Sequence, residues 1–450
     1  MTDLQELAER TVKLVMKLGA SHCDVIVADS RYITAEIEKS SIKQASVTTD
    51  PGIGIRAFVN GASGFAYTTG HEQKAVKRVA ELAVSHAGAG TPDPDFQDLP
   101  GAERPTKVSG LFEAKIAKLE PNSVVDMAIS LSNSASSDKK IDSVNAGVSV
   151  GSGIIALANS NGFSRIQRMS SFELGAESVA RSQSRMFSGI DGFWSRRLEK
   201  DAMARVGESA MKHALQGLRS KRISTGDYPV VLDPLSAGFI LLSSIGGGAN
   251  AENIQRKRSY LTGKLGQKIA ADDLTVSDDP TLEWASGSYS FDGEGTPARR
   301  KTIIEHGILK SYLYDSYTAA KDSIVSTGNS SRGGSTWSYR RPPAISSSNI
   351  VVSKGDSSLE EIIQETKKGV YLRTTYDHPN LATGEFSGLM MECFMIEKGE
   401  LGPSVQQSTI GIGLIEMFSR LDMIGRRQRD AFGARVPALR ISSARIAGSG

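Results

Sequence analysis

The sequence predicts an α+β protein in two halves, and three observations carry that reading. The chain opens on an amphipathic helix that leads into alternating strand runs. Further helical periodicities recur up to about residue 218. Beyond a polar, glycine-containing join, KRISTGDY (221–228), strand runs and tight turns dominate. Glycine is abundant, 45 of 450 residues, which favours a strand-rich, turn-rich architecture. We place the boundary there: an α+β N-terminal domain over 1–221 and a strand-rich C-terminal domain over 222–450.

In the first helix, Leu4, Leu7, Ala8, Thr11, Leu14, Val15 and Leu18 keep the spacing of one helical face. Thr2 is its cap, with Gln5 three residues on, and Gly19 its stop. Strand runs follow: CDVIVADS, then YITAEIEKSSIKQASVTT with the alternation Ile33, Ala35, Ile37, then GIGIRAFVNGASGFAYTT with Asn60-Gly61 as a hairpin turn. A second helix covers 71–86, with Ala75, Val79, Leu82 and Ala83 on one face. A third starts at Pro121 or Asn122. Strands resume over 141–182, broken by the turn NSNG at 159–162, and a long amphipathic helix is predicted over 196–218.

In the second half YPVVLD reads as a strand. An apolar turn, AGFILL (237–242), then runs into Gly246, Gly247 and Gly248. Hairpins are expected at His306-Gly307 and Lys398-Gly399. The run SSLEEIIQETKKG is a helix with Ser357 or Ser358 as cap and Gly369 as stop, and the chain ends on the alternating strand LRISSARIAG.

Bulk properties exclude several classes of function. The 53 basic and 50 acidic residues leave a net charge of +3, too balanced to mark a nucleic-acid binder. Two cysteines, Cys23 and Cys393, cannot build a disulfide framework, and both lie in apolar runs suited to buried thiols. The polar, acidic start is no secretory signal, and no run approaches the roughly 18 apolar residues of a membrane span, so the cytoplasm is the expected compartment.

Catalytic signatures are sparse. None of His22, His71, His86, His213, His306 and His378 has a second ligand at the usual zinc spacing. His378, loop-borne beside Asp377, is the most open to a catalytic role. The glycines of DGEGTP (292–297), STGNSSRGG (326–334) and LTGKLG (261–266) match no phosphate-binding pattern, and no G-x-S-x-G elbow is present. Open strand edges remain candidates for binding peptide by strand addition.

Several ordered segments resemble the TldD/PmbA family, also called modulators of DNA gyrase. They are AGFILL (237–242), RKRSYLTGKLG (256–266), SFDGEGTPARRKTIIEHGILKSYLYD (290–315), STGNSSR (326–332), NLATGEFSG (380–388) and PALRISSARIAG (437–448). The run NIVVSKGDSSLEEIIQETKKGVYL (349–372) also fits, and the first half matches more loosely. The resemblance implies the two-domain PmbA/TldD-like fold. It also implies a comparison: TldD-type members hold zinc with His-Glu-x-x-x-His on a helix and a later Cys, the Glu acting as general base. Matching AGFILL puts Leu242, Ser243 and Gly247 at those three positions, and no Cys follows Cys393.

The chain therefore resembles the TldE/PmbA-type subunit, without metal of its own. The resemblance implies a zinc-bearing TldD-type metallopeptidase partner and peptide substrates, the complex degrading unfolded or small peptides and processing precursor peptides. Neither membrane nor nucleic acid is an expected partner, and a homodimer is a reasonable form of the chain alone. Asn329, Arg332, Thr383 and Glu385, in the loop-like segments, are candidate contacts to peptide in the chamber the two subunits would close. The competing expectations are a stand-alone peptidase using His378, Asp377 or Cys393, and a non-proteolytic binding protein acting on DNA gyrase.

Overall fold

A computed structural model describes residues 3–183, 185–334 and 337–448; the expected cap Thr2 lies outside them. Among the described residues the first half is one antiparallel sheet with five helices on one face, one of them a single turn. Its elements are α1 (Asp3–Lys17), β1 (His22–Glu38), β2 (Ser41–Thr49), β3 (Gly52–Val59), β4 (Ala62–Thr69), α2 (Gln73–Ala89), the single turn α3 (Ala114–Ala117), α4 (Pro121–Ala135), β5 (Ile141–Asn159), β6 (Ser164–Ser182), β7 (Arg185–Ser195) and α5 (Ala202–Gly217). The strand order is β4-β3-β1-β5-β6-β7, with β2 continuing the β3 side of the long β1. Asn60 and Gly61 both take positive φ, 51° and 81°, as the tight β3–β4 hairpin requires.

Period-two alternation decides what each face meets. Cys23, Val25 and Val27 of β1 pack under α1 and α2, and Ile33, Ala35 and Ile37 pack under α4 and α5. Ile26 and Ala28 point the other way, onto Tyr289, Phe291, Trp337 and Tyr339 of the second half. The odd residues of β1 thus build the N-terminal core, and the even ones build the join between halves.

The second half follows as β8 (Ser220–Lys221), β9 (Gly226–Leu232), α6 (Pro234–Leu241), α7 (Ala251–Gln255), β10 (Val276–Asp278), β11 (Lys301–Glu305), β12 (Ile308–Leu309), α8 (Ser316–Lys321), β13 (Ser330–Ser331), β14 (Ala344–Ile345), β15 (Ile350–Val352), α9 (Leu359–Glu365), β16 (Lys368–Thr374), β17 (Glu385–Leu389), β18 (Glu392–Glu397), β19 (Glu400–Val405), β20 (Thr409–Gly413), α10 (Leu414–Ser419), β21 (Leu421–Ala431) and β22 (Ala434–Ala447). These strands, except the β13–β14 pair, form one mixed sheet ordered β12-β11-β10-β15-β22-β9-β16-β18-β19-β8, with β20 and β21 also on β22 and β17 on β20. The hairpin turns at His306-Gly307 and Lys398-Gly399 form as expected, all four residues with positive φ.

Several expectations are corrected. The second helix begins at Gln73, not His71, and runs on to Ala89. The helix expected from 196 starts only at Ala202. Arg196 is instead buried between the halves, its guanidinium donating to the carbonyls of Ser170 (3.0 Å) and Ser288 (2.9 Å). The helix α9 is capped by Ser358 with a full capping box. It stops at Glu365 rather than at Gly369, because Gly369 pairs with Ile396 inside the sheet. The apolar stretch 237–242 is largely a helix, α6, started by the Asp233 cap and by Pro234. It shows no amphipathic face because it is buried nearly all round: Leu235, Ser236, Ala237, Gly238, Ile240 and Leu241 are all inside. Among the described residues, no helix is long and apolar enough to cross a membrane.

Candidate functional site

The end of α6 widens into one turn of π-helix, Leu242–Gly246, a distortion often found at functional sites. Ser244 sustains the turn from within by donating its hydroxyl to the Ile240 carbonyl at 2.6 Å. Ser243 faces outward, its Oγ 3.1 Å from His378 Nδ1. The His378 ring lies 4.9 Å from the Phe239 ring, and Tyr376 and Phe432 pack edge-on against the same phenylalanine. Leu242 leans on the hydrophobic core. At Gly247 a Cβ would come within 2.9 Å of Leu381 Cδ1, so the loop carrying Leu381 sits close against this corner. That loop is fixed further by the Tyr260 amide, which donates to the Leu381 carbonyl at 2.7 Å.

These residues do not fit a zinc ion. Leu242 and Gly247 offer no lone pair, Ser243 offers only a neutral hydroxyl, and His378 is a single imidazole. The Asp377 carboxylate does not orient that imidazole; it accepts from the Leu389 amide at 2.6 Å. Cys393 lies inside β18, its thiol pushed well up by burial, and the Cys23 thiol in the other sheet is pushed up to about 12, first by burial and then by Asp24. Among the described residues no three His, Cys, Asp or Glu side chains converge as a metal set.

The four candidate chamber residues separate into two pairs. Thr383 and Glu385 are exposed on the loop entering β17, where the Asn380 side chain holds the turn by accepting from the amides of Ala382 and Thr383. Asn329 and Arg332 are wholly buried, which corrects their expected exposure to peptide. The Asn329 amide donates to Asp278 Oδ2 at 2.7 Å, and its own Oδ1 accepts from Thr327. Arg332 donates from Nε to the Gly293 carbonyl at 2.8 Å and pairs with Asp24 through Nη2. The segment 292–297 is likewise buried and lies against the first sheet rather than in an open chamber.

Two buried ionic clusters, invisible to motif reading, join the halves. In the first, Asp24 on β1 meets Arg332 and also Arg56 on β3 (2.6 Å), and Arg56 reaches Glu294 at 2.9 Å. Burial pushes the Asp24 carboxyl up, but the Arg56 and Arg332 guanidiniums outweigh it and hold it below the usual range. Asp292 nearby is raised to about 7 by burial and then by the Glu294 charge.

In the second cluster Arg373 lies 3.0 Å from Glu392, 3.7 Å from Asp191 and 3.8 Å from Asp233. Arg429 pairs with Asp191, and the Tyr371 hydroxyl donates to Asp233. Glu392 also accepts from the Ile190 amide of β7 at 2.7 Å, and burial, partly offset by Arg373, raises its carboxyl to about 7. The strongly perturbed carboxyls of this protein therefore sit where its halves meet, not at the end of α6.

Comparison with known proteins agrees with this architecture. Three family models match in order: the PmbA/TldA metallopeptidase domain 1 over 23–87, its central domain over 114–218, and its C-terminal domain over 225–448. A metalloprotease TldD homolog of Buchnera aphidicola subsp. Acyrthosiphon pisum is 28% identical over 86% of this chain and 82% of its own length. A metalloprotease PmbA homolog of Haemophilus influenzae is 24% identical over 93% of this chain and 90% of its own. The crystal structure of TldE from Thermococcus kodakarensis superposes with a TM-score of 0.90 at 22% identity, covering 98% of this chain and all of that one. With three successive family models matched across both sheets, the chain belongs to the PmbA/TldD metallopeptidase family.

Proposed function

We propose that this chain is the metal-free, TldE/PmbA-type subunit of a TldD/TldE zinc peptidase, working in the cytoplasm on unfolded or small peptides and on precursor peptides. The observation that carries the reading is the corner at the end of α6. Leu242, Ser243 and Gly247 stand where the resemblance places two imidazoles and a general base, and no metal set converges among the described residues. A chain of this kind contributes shape rather than chemistry: it helps close the chamber and helps hold an extended peptide near the partner's zinc. Thr383 and Glu385, exposed beside the corner, are the residues we assign to that surface. Alone, the chain would form homodimers through the surface it uses for its partner.

The test is reconstitution. The purified chain alone should cleave no peptide. Mixed with a TldD-type partner from the same organism, it should co-elute in size exclusion and give chelator-sensitive cleavage. Cleavage by the chain alone would remove the proposal.

One observation favours a second reading. The 3.1 Å approach of Ser243 Oγ to His378 Nδ1 has the spacing of a nucleophile and its base. The third group such a pair needs is lacking, since Asp377 is turned to the Leu389 amide. This stand-alone activity predicts cleavage that survives chelator and is lost in Ser243→Ala.

A further inference from the structure

A groove of about 630 Å³ opens beside the second ionic cluster, between the start of β7 and the bend that joins β17 to β18. Its volume lies in the range of small-ligand sites, roughly 300–1,000 Å³. Its lining gathers large apolar side chains that stay in water: Met186 is 53% exposed, Leu389 44% and Met391 41%. Methionine side chains also adapt to varied apolar partners.

The main chain of β7 gives this groove a direction. Among the described residues β7 is the last strand of the first sheet and pairs on one side only, with β6. Ile190 turns its main chain away from β6, since its N–H donates to Glu392 at 2.7 Å and its carbonyl accepts from Arg373 at 3.5 Å. Antiparallel pairing alternates strictly along this unbroken register. Ser188 and Met186, two and four residues back, therefore also aim their N–H and C=O groups outward, into the groove they line. The edge is sealed by the second half at Ile190 and open at Ser188 and Met186.

Charge at the rim identifies what the edge would take. Arg185 and Arg222 both line the groove, and among the described residues neither has a carboxylate partner. Two unpaired guanidiniums beside an open strand edge suit a carboxylate at the end of an extended segment.

We propose that this groove binds the C-terminal end of a short apolar peptide, added as a strand to the edge of β7. The peptide's free carboxylate is held by Arg185 and Arg222, and its apolar side chains rest on Met186, Leu389 and Met391. The proposal deepens the accessory-subunit reading by giving it a site for peptide ends, and it is tested on the chain without partner, so that failure of either is seen separately.

The probe is the tetrapeptide acetyl-valyl-leucyl-valyl-leucine, measured by titration calorimetry against the full chain. The free acid should bind, and its C-terminal amide should bind about tenfold more weakly or worse, the cost of losing a charge-assisted hydrogen bond. Methylation of one alternate set of backbone nitrogens should abolish binding, and methylation of the other set should leave it. Arg222→Ala and Arg185→Ala should each weaken the free acid without weakening the amide, and Arg256→Ala, away from the groove, should change neither. Equal binding of acid and amide, indifference to backbone methylation, or no binding of the free acid would each overturn the proposal, whatever the reconstituted complex does.

Discussion

The two ends of α6 use opposite chemistry. At its start, Asp233 caps the helix through the Leu235 amide, accepts from the Tyr371 hydroxyl and lies 3.8 Å from Arg373, so it belongs at once to a helix and to a buried ionic cluster. At its end, Leu242, Ser243 and Gly247 present one hydroxyl and no charge. The first end is built from the residue types of an active site, yet its charges pair with one another inside the protein, and the contacts of Arg373 and Arg429 with Asp191 and of Glu392 with Ile190 join the two sheets. The second lies where the sequence resemblance puts the zinc motif of TldD-type members, and it is bland. Perturbed carboxyls alone are therefore a poor guide to function in this fold.

If that contrast is right, the largest effect comes from breaking the ionic end. Arg373→Ala strips the counter-charge from Glu392, Asp191 and Asp233 together and should cost about 3–5 kcal/mol of stability in urea unfolding, as removal of one partner of a buried pair does. A loss below about 1 kcal/mol would show the cluster to be solvated and the contrast to be false.

The next effect is in pH. The His213 imidazole packs beside this cluster, near the Phe394 ring, with Nδ1 donating to the Ser209 carbonyl at 2.6 Å. Burial, and then the Arg373 charge, lower its pKa from 6.5 to about 4. A base with a lowered folded-state pKa is held neutral in the fold, so its share of stability is intact above about 6.5 and drains away as pH falls toward 4. Relative to His213→Gln, the natural chain should lose roughly 2–3 kcal/mol over that window. Parallel pH profiles would contradict the assignment.

A smaller effect tests helix α9, which touches neither end. Ser358→Ala removes the capping box and should cost about 1 kcal/mol by thermal unfolding, with no change in the activity of the reconstituted complex. The smallest belongs to the bland end. Ser243→Ala should shift stability by no more than about 0.5 kcal/mol and leave chelator-sensitive cleavage by the complex unchanged. Loss of cleavage would return Ser243 and His378 to catalysis.

What was legible in the sequence was local. The turns at Asn60-Gly61, His306-Gly307 and Lys398-Gly399 depend on residues that tolerate positive φ, and the first helix and α9 depend on face periodicity and stop or cap residues that lie side by side in the chain. The bland corner was legible too, because it rests on which residues stand at 242, 243 and 247. Illegible were the features made by distant pairing. Arg332 looked like a loop arginine free to meet peptide, and its partner Asp24 lies 308 residues away. Arg196 opens the span expected for the long helix, yet its hydrogen bonds reach across to Ser170 and Ser288, and the helix starts only at Ala202. The groove at β7 joins residues from four separated stretches and has no motif at all.

Zinc content, by atomic emission, of this chain alone and of its complex with a TldD-type partner separates a metal-free subunit from a metalloenzyme in one step. The chain alone should hold no stoichiometric zinc, and the complex should hold zinc that is lost, together with cleavage, when the partner's His-Glu-x-x-x-His is mutated. Stoichiometric zinc in the chain alone would contradict the metal-free reading, and would mean that His378 or Cys393 serves as a ligand in an arrangement other than the one described.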